Sequence, residues 1–226
     1  MKRSKSLKAA DKKVDRKKYY SVKEAIALMT SLSTLKFDAT AEVHFTLGID
    51  PRHADQQIRS NLNLPNGTGK KVKIVVFCED DQVKAAKASG AIEAGNADLI
   101  DKIAKGWTDF DTAVSTPGLM KSLAKVARVL GPKGLMPNPK AGTVTNDVEK
   151  TVKELMGGRI ELRNDKQGIV HSIFGKLSFG EAKLAENLEI MIKTIQDIKP
   201  LGQKGPYIKN ISISSSMGTG IKVAVI

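Results

Sequence analysis

Three histidines are the first place to look for catalysis in this chain. His44, His53 and His171 show neither H-x-x-x-H nor H-E-x-x-H spacing, so no pair is set on one helix face as zinc ligands would be. Asp80-Asp81 and the pair Asp109/Asp111 carry charge suited to a divalent ion, but helix caps and loops are the commoner homes of such pairs. Cys78 is the only cysteine; it ends the apolar run Val72–Cys78, with no basic neighbour in sequence to activate a thiolate. Its expected place is the core, and a single cysteine excludes a disulfide framework and fits a reducing compartment. No Gly-Lys-Ser/Thr closes a G-x-x-x-x-G run, and there is no G-x-G-x-x-G. The expectation is a chain without metal, cofactor or catalytic site.

Other residue types suit a polyanion. Lys36-Phe37-Asp38-Ala39-Thr40 precedes a strand whose polar face carries Glu42 and His44. Lys166, Gly168 and His171 lie in and after a second turn. Ser214-Ser-Ser-Met-Gly-Thr-Gly220 ends a third strand in small hydroxyl residues, with Met217 before Gly218 and Thr219. Ser and Thr hydroxyls reach phosphate and ribose oxygens, small residues allow close approach, and a Met packs on a base or sugar. An ordinary polar strand end is the alternative reading. The stretch Leu130–Thr143 holds three Pro and three Gly, with Lys133 and Lys140 inside it and Lys125 and Arg128 upstream. It reads as a structured loop, placed either to set a domain angle or to meet nucleic acid.

These segments need elements to position them. The 226 residues, 41% hydrophobic, are enough for two small domains, and aromatics at 4% leave the cores to aliphatic side chains. The net charge is +13, and residues 1–20 hold nine Lys/Arg against two Asp, more than half of that excess. This tail reads either as a solvated end or as a phosphate-seeking arm. No apolar run is long enough for a membrane span, and no apolar core follows the basic start as a secretory signal would require.

Ser21-Val-Lys-Glu24 is a capping box opening a helix to about Leu32. Ala41–Ile49 alternates strictly, as a strand with one wet face does. From Val72 the pattern changes to a buried strand, then helices near 81–89 and 97–105, a short strand at 110–114 and a helix at 118–125. Asn146–Glu149 caps a further helix to about Met156. After Gly157-Gly158 one-wet-face strands return at 159–163 and 169–174, read as a hairpin. Ser178–Glu181 reads as a cap for a long helix stopped by Lys199-Pro200, and strands follow at 207–216 and 221–226. One helix and one strand cannot bury a core alone. Both ends, 1–67 and 159–226, are therefore expected to build one split α+β domain, with an α/β domain inserted at 68–158.

The stretch Lys125-Val-Ala-Arg-Val-Leu-Gly-Pro-Lys-Gly-Leu-Met-Pro-Asn-Pro-Lys-Ala-Gly-Thr-Val144 resembles the signature of the ribosomal protein L-one family, bacterial type, and the likeness runs over essentially the whole chain. The resemblance implies a split RNA-binding domain and an inserted three-layer Rossmann-like domain that holds no nucleotide. It implies RNA contacts at Lys36, Phe37, Thr40, Glu42, Lys166, Gly168, His171, Ser216, Met217 and Gly218. Thr219 stands where many relatives have Pro, which removes a fixed φ from that turn. It further implies a monomer within a cytoplasmic or organellar ribosome, bound to large-subunit rRNA. There it would organise a mobile stalk, assist release of deacylated tRNA, and repress its own mRNA through a leader that mimics the rRNA site. The competing readings are a free regulatory RNA-binding protein and an α/β enzyme using the inserted domain.

Overall fold

The computed structural model describes residues 4–53, 55–200, 203 and 205–224, without the side chains of Lys5, Ser6, Asp80 and Lys140. The expected strand end at Val225-Ile226, the tail residues Lys2 and Arg3, and the charges of Lys5, Asp80 and Lys140 lie outside that description. The chain opens with α1 (Lys5–Lys13), α2 (Val22–Leu32), β1 (Thr40–Leu47) and β2 (Arg59–Asn63). Strands then alternate with helices: β3 (Ile74–Phe77), α3 (Asp80–Ala88), β4 (Glu93–Gly95), α4 (Ala97–Ala104) and β5 (Thr112–Ser115). Short helical turns, including α5 (Met120–Leu123) and α6 (Ala127–Leu130), lead to α7 (Val148–Met156). The return is β6 (Arg159–Arg163), β7 (Ile169–Lys176), α8 (Glu181–Asp197), β8 (Ile208–Ser215) and β9 (Ile221–Val223). Contacts divide the chain into two compact units, Met1–Gly69 with Ile160–Ile226, and Lys70–Arg159.

In the first unit an antiparallel sheet runs in the order β7-β1-β8-β9, so strands from both ends of the sequence interleave. The period-two pattern of β1 drives this: Ala41, Val43, Phe45 and Leu47 are buried, and the residues between them are half-exposed. Two helices cover the buried face. α2 contributes Ala25, Ile26 and Met29, and α8 contributes Leu184, Leu188, Met191 and Ile195. Each of these side chains other than Ala25 contributes about 1.5–3 kcal/mol on removal from water. The capping box of α2 is formed in both directions, Glu24 N–H to Ser21 Oγ and Ser21 N–H to the Glu24 carboxylate.

Two local expectations need correction. Ser178 does not cap α8; Gly180 is the N-cap, and the Ser178 hydroxyl donates to Asp38 instead. The proposed hairpin over 159–174 is not one ladder. β6 pairs with β2 in a separate two-stranded sheet, and only the isolated bridge Asn164–Val170 joins it towards β7. Partners distant in sequence hold β6 there: Asn164 Oδ1 accepts from Ile58 N–H at 2.7 Å, and the Arg59 guanidinium pairs with Glu161. β2 is Arg-Ser-Asn-Leu-Asn, too polar to read as a strand. The basic start, read as a solvated end or a phosphate-seeking arm, forms a helix. α1 is capped by Ser4, and Val14 and Tyr20 are buried behind it.

The second unit is a parallel sheet, β4-β3-β5, covered on both faces. Successive residues of β3 face opposite layers. Val75 and Phe77 pack with Ile100, Ile103, Leu123 and Leu130. Ile74, Val76 and Cys78 pack with Ala86, Val148 and Val152. Burial on both sides explains why β3 reads as one apolar run.

Candidate nucleic-acid interface

The open face of the four-stranded sheet carries a polar row along β1: Thr40, Glu42, His44 and Thr46. Register sets its neighbours. Glu42 lies opposite Ile173 on one side and Ser214 on the other, and His44 opposite His171 and Ser212. At about 3.4 Å per residue, the eight residues of β1 spread this face over roughly 24 Å.

One end of the face is built from two distant segments. Thr40 N–H donates to Ser216 Oγ at 3.2 Å, and Ser216 N–H returns a bond to Thr40 C=O at 3.0 Å. The preceding loop is held by Asp38, whose carboxylate accepts from the Ser178 hydroxyl at 2.8 Å and from Ser178 N–H. Lys36 and Phe37 project from this anchored loop into solvent, Phe37 with 55% of its surface open.

Beside it, Gly218 N–H closes a turn onto Ser215 C=O at 2.8 Å. A Cβ on Gly218 would fall 2.3 Å from Ser215 Oγ and 3.1 Å from Ser215 C=O, so a side chain there would have to displace the Ser215 hydroxyl. Met217 is the one described non-glycine residue at positive φ, 63°, and it is 82% exposed. The left-handed conformation costs a side-chain-bearing residue about 1–2 kcal/mol, and such strain gathers at functional sites. Thr219 is buried, and its hydroxyl donates to Asp11 of α1 at 2.6 Å, while Arg16 also reaches that carboxylate. The turn that lacks Pro is thus tied down by a side-chain bond to the basic N-terminal helix.

The other end is the Asn164–Gly168 turn. Asp165 Oδ1 accepts from Gln167 N–H and Ile169 N–H, both at 2.8 Å. The Ile169 N–H above all, helped by Gln167 and His171, holds this carboxyl below the usual carboxylate range. Lys166 projects outward. Gly168 is buried at φ 76°, and a Cβ there would press within 3.3 Å of Ile49 C=O. The expected contact residues therefore divide. Lys36, Phe37, Thr40, Ser216, Met217 and Gly218 meet at one end, and Lys166 and Gly168 occupy the opposite end. Glu42 and His171 lie between.

His44 belongs to this face although only its partner His171 stood among the expected contacts. The two Nδ1 atoms are 2.9 Å apart, and His171 Nε2 is 3.6 Å from Asp165 Oδ2. A short N–N contact needs one ring to donate and the other to accept. Burial first, and His171 second, lower the His44 pKa, against an opposing pull from Glu42. The fold thus favours neutral His44. That stability is full above the unfolded histidine value of about 6.5 and is lost as pH falls through the lower folded value. A melting series from pH 7.5 to 5 should show the loss, and His44→Gln should flatten it. An identical pH profile in the variant would remove His44 as the cause.

Elsewhere, no group of three or more metal-ligating side chains gathers among the described residues. In the second unit, the loop after β3 places Glu79, Asp80 and Asp81 at the start of α3. Glu79 and Asp81 put negative charge at the helix end that a phosphate-binding loop would keep free for its anion. The Pro/Gly-rich loop turns inward: Leu135 and Met136 join the core, and Asn138 N–H donates to Thr143 Oγ1 at 2.8 Å. Val144 then bridges to Ser115 beside β5.

The sequence model of the Ribosomal protein L1p/L10e family matches residues 24–219. The chain belongs to that family. It is 52% identical over 221 residues to the large ribosomal subunit protein uL1 of Streptomyces griseus, covering 98% of this chain and 92% of that protein. This is a family of ribosomal proteins, not of enzymes. The family match spans the loop at Lys36 and the turn to Thr219, while α1, which Thr219 anchors, precedes it. No helix among the described residues is long and apolar enough to cross a membrane.

Proposed function

We propose that the protein is an rRNA-binding constituent of the large ribosomal subunit, working in the cytoplasmic ribosome. Residues 1–67 and 159–226 form its RNA-binding domain, and 68–158 is an insertion. The observation that carries the reading is Met217, an exposed apolar side chain held in a strained backbone next to Ser216, whose bond to Thr40 ties this turn to the strand that follows the exposed Phe37. Met217 and Phe37 offer packing to bases and riboses. Thr40 and Ser216 offer hydroxyls to the 2′-OH, Lys36 and Lys166 meet phosphates, and Glu42 and His171 accept or donate to base edges. Gly168, Gly218 and Thr219 shape the backbone that presents them.

The finer role is to organise the stalk beside the tRNA exit site and to assist departure of deacylated tRNA. A leader in the protein's own mRNA, presenting the same RNA shape, would make it a translational repressor. Tagged protein should co-sediment with large subunits, and a leader transcript should compete with rRNA for it. Protein found only in free messenger complexes would contradict the ribosomal role.

Charge and shape contributions separate by salt. Lys36→Ala should reduce the slope of log affinity against log salt by about 0.7–0.9, because one phosphate contact is removed. Met217→Ala should leave the slope unchanged. Equal slopes for wild type and Lys36→Ala would take Lys36 out of the phosphate contacts.

A further inference from the structure

We infer that the RNA-binding face continues past β9 into a platform formed by Tyr19 and Lys222, which takes an unpaired nucleobase with its phosphate. This rests on the RNA-binding reading above and adds residues outside the expected contacts.

Residues 19 and 20 extend the sheet. Tyr20 pairs with Val223 as a parallel bridge, its N–H donating to Lys222 C=O at 3.0 Å and its C=O accepting from Ala224 N–H at 2.8 Å. The Tyr20 ring enters the core, and its hydroxyl accepts from Asp15 N–H, which fixes this segment on both sides. Alternation then sends Tyr19 to the open face, where 54% of it is exposed. Among the described residues, Tyr19 and Phe37 are the only large exposed aromatics, in a chain with few aromatics to spend.

Register places Lys222 on that face too. His171, His44, Ser212 and Lys222 lie directly across from one another, one on each strand of the sheet. Lys222 makes no ion pair among the described residues, and its Nζ stands 5.4 Å from the Tyr19 ring centroid. The ammonium lies over one face of the ring as a cation–π contact, so a base would stack on the opposite face, with the cation at hand for the phosphate that follows it. Paired RNA hides its base faces, so the fitting ligand is a nucleotide in a bulge or loop. Continuity with the polar row and the positive charge select RNA over an acidic peptide, which would not need the ring.

The test uses the full chain and a large-subunit rRNA fragment that it binds. Tyr19→Ala and Tyr19→Leu should each weaken binding roughly 5- to 100-fold, with Tyr19→Phe within about twofold of wild type. Lys222→Ala should lower the salt slope by about 0.7–0.9. Melting temperatures confirm folding, and the Leu variant keeps apolar bulk while removing the flat ring. Wild-type affinity in Tyr19→Ala and Tyr19→Leu, alongside a large loss in Met217→Asp, overturns the platform and leaves the RNA-binding reading standing. Wild-type affinity in all three overturns both.

Discussion

Met217→Asp is expected to weaken binding to large-subunit rRNA by about 2–4 kcal/mol, roughly 30- to 700-fold. The side chain stands at the tip of a turn that RNA can approach, 82% exposed and flanked by Gly218. Aspartate there forfeits a polarizable contact and sets a carboxylate against a polyanion. Met217→Ala removes only the contact and should lose about 1–2 kcal/mol. Met217→Gly separates recognition from stability. Glycine relieves the strain at φ 63°, worth about 1–2 kcal/mol, against about 0.5–1 kcal/mol of lost backbone entropy. Its melting temperature should match or exceed wild type while RNA affinity falls as in Met217→Ala. Filter binding and thermal melts on the same preparations decide the matter. Unchanged affinity in folded Met217→Asp would show that RNA does not reach this turn.

Asn187→Leu is expected to destabilise the first unit by about 2–5 kcal/mol, lowering its melting temperature by about 6–15 °C. Asn187 is fully buried on α8. Its Nδ2 donates to Phe174 C=O at 2.8 Å and to Gly67 C=O at 3.1 Å, and its Oδ1 accepts from Asn66 N–H at 3.3 Å. One amide thereby joins β7 to the Asn66-Gly67 turn, just before the boundary of the unit at Gly69. Leucine has similar bulk but no polar atom, so one buried carbonyl, one half-buried carbonyl and an N–H lose their partner. α8 lies behind the sheet, so RNA affinity of the folded variant should stay within about threefold at low temperature. A melting temperature within two degrees of wild type would mean that water replaces the amide at no cost.

Period and capping made much of the fold legible. Strict alternation in β1 and the capping box of α2 identified both elements, and the unbroken apolar run of β3 marked a strand covered on two faces. What stayed hidden depends on contacts between residues far apart. α1 is too polar to show an apolar stripe; its place is fixed by Ser4 and by the Thr219–Asp11 bond across most of the sequence. β2 offers only Leu62 to the core, and its pairing with β6 diverts the hairpin expected from the turn at 164–168. At the candidate interface, Lys36, Phe37 and Met217 were legible as unusual residues near strand ends, and they are exposed. The left-handed backbone of Met217 and the inward-facing hydroxyl of Thr219 follow from turn geometry. His44 sat at a wet position of β1, but its contact with His171 arises from the β1–β7 register, which no single strand carries.

Amide hydrogen exchange of the full chain, with and without a large-subunit rRNA fragment, reads the proposed surface directly. Binding should slow exchange in the 33–44 and 212–219 segments, which hold the anchored loop and the Met217 turn, and at 166–173. Peptides across 97–144 in the second unit should exchange as they do without RNA. Protection concentrated at 120–144, with 33–44 and 212–219 unchanged, would contradict the assignment of RNA binding to the sheet face of the first unit.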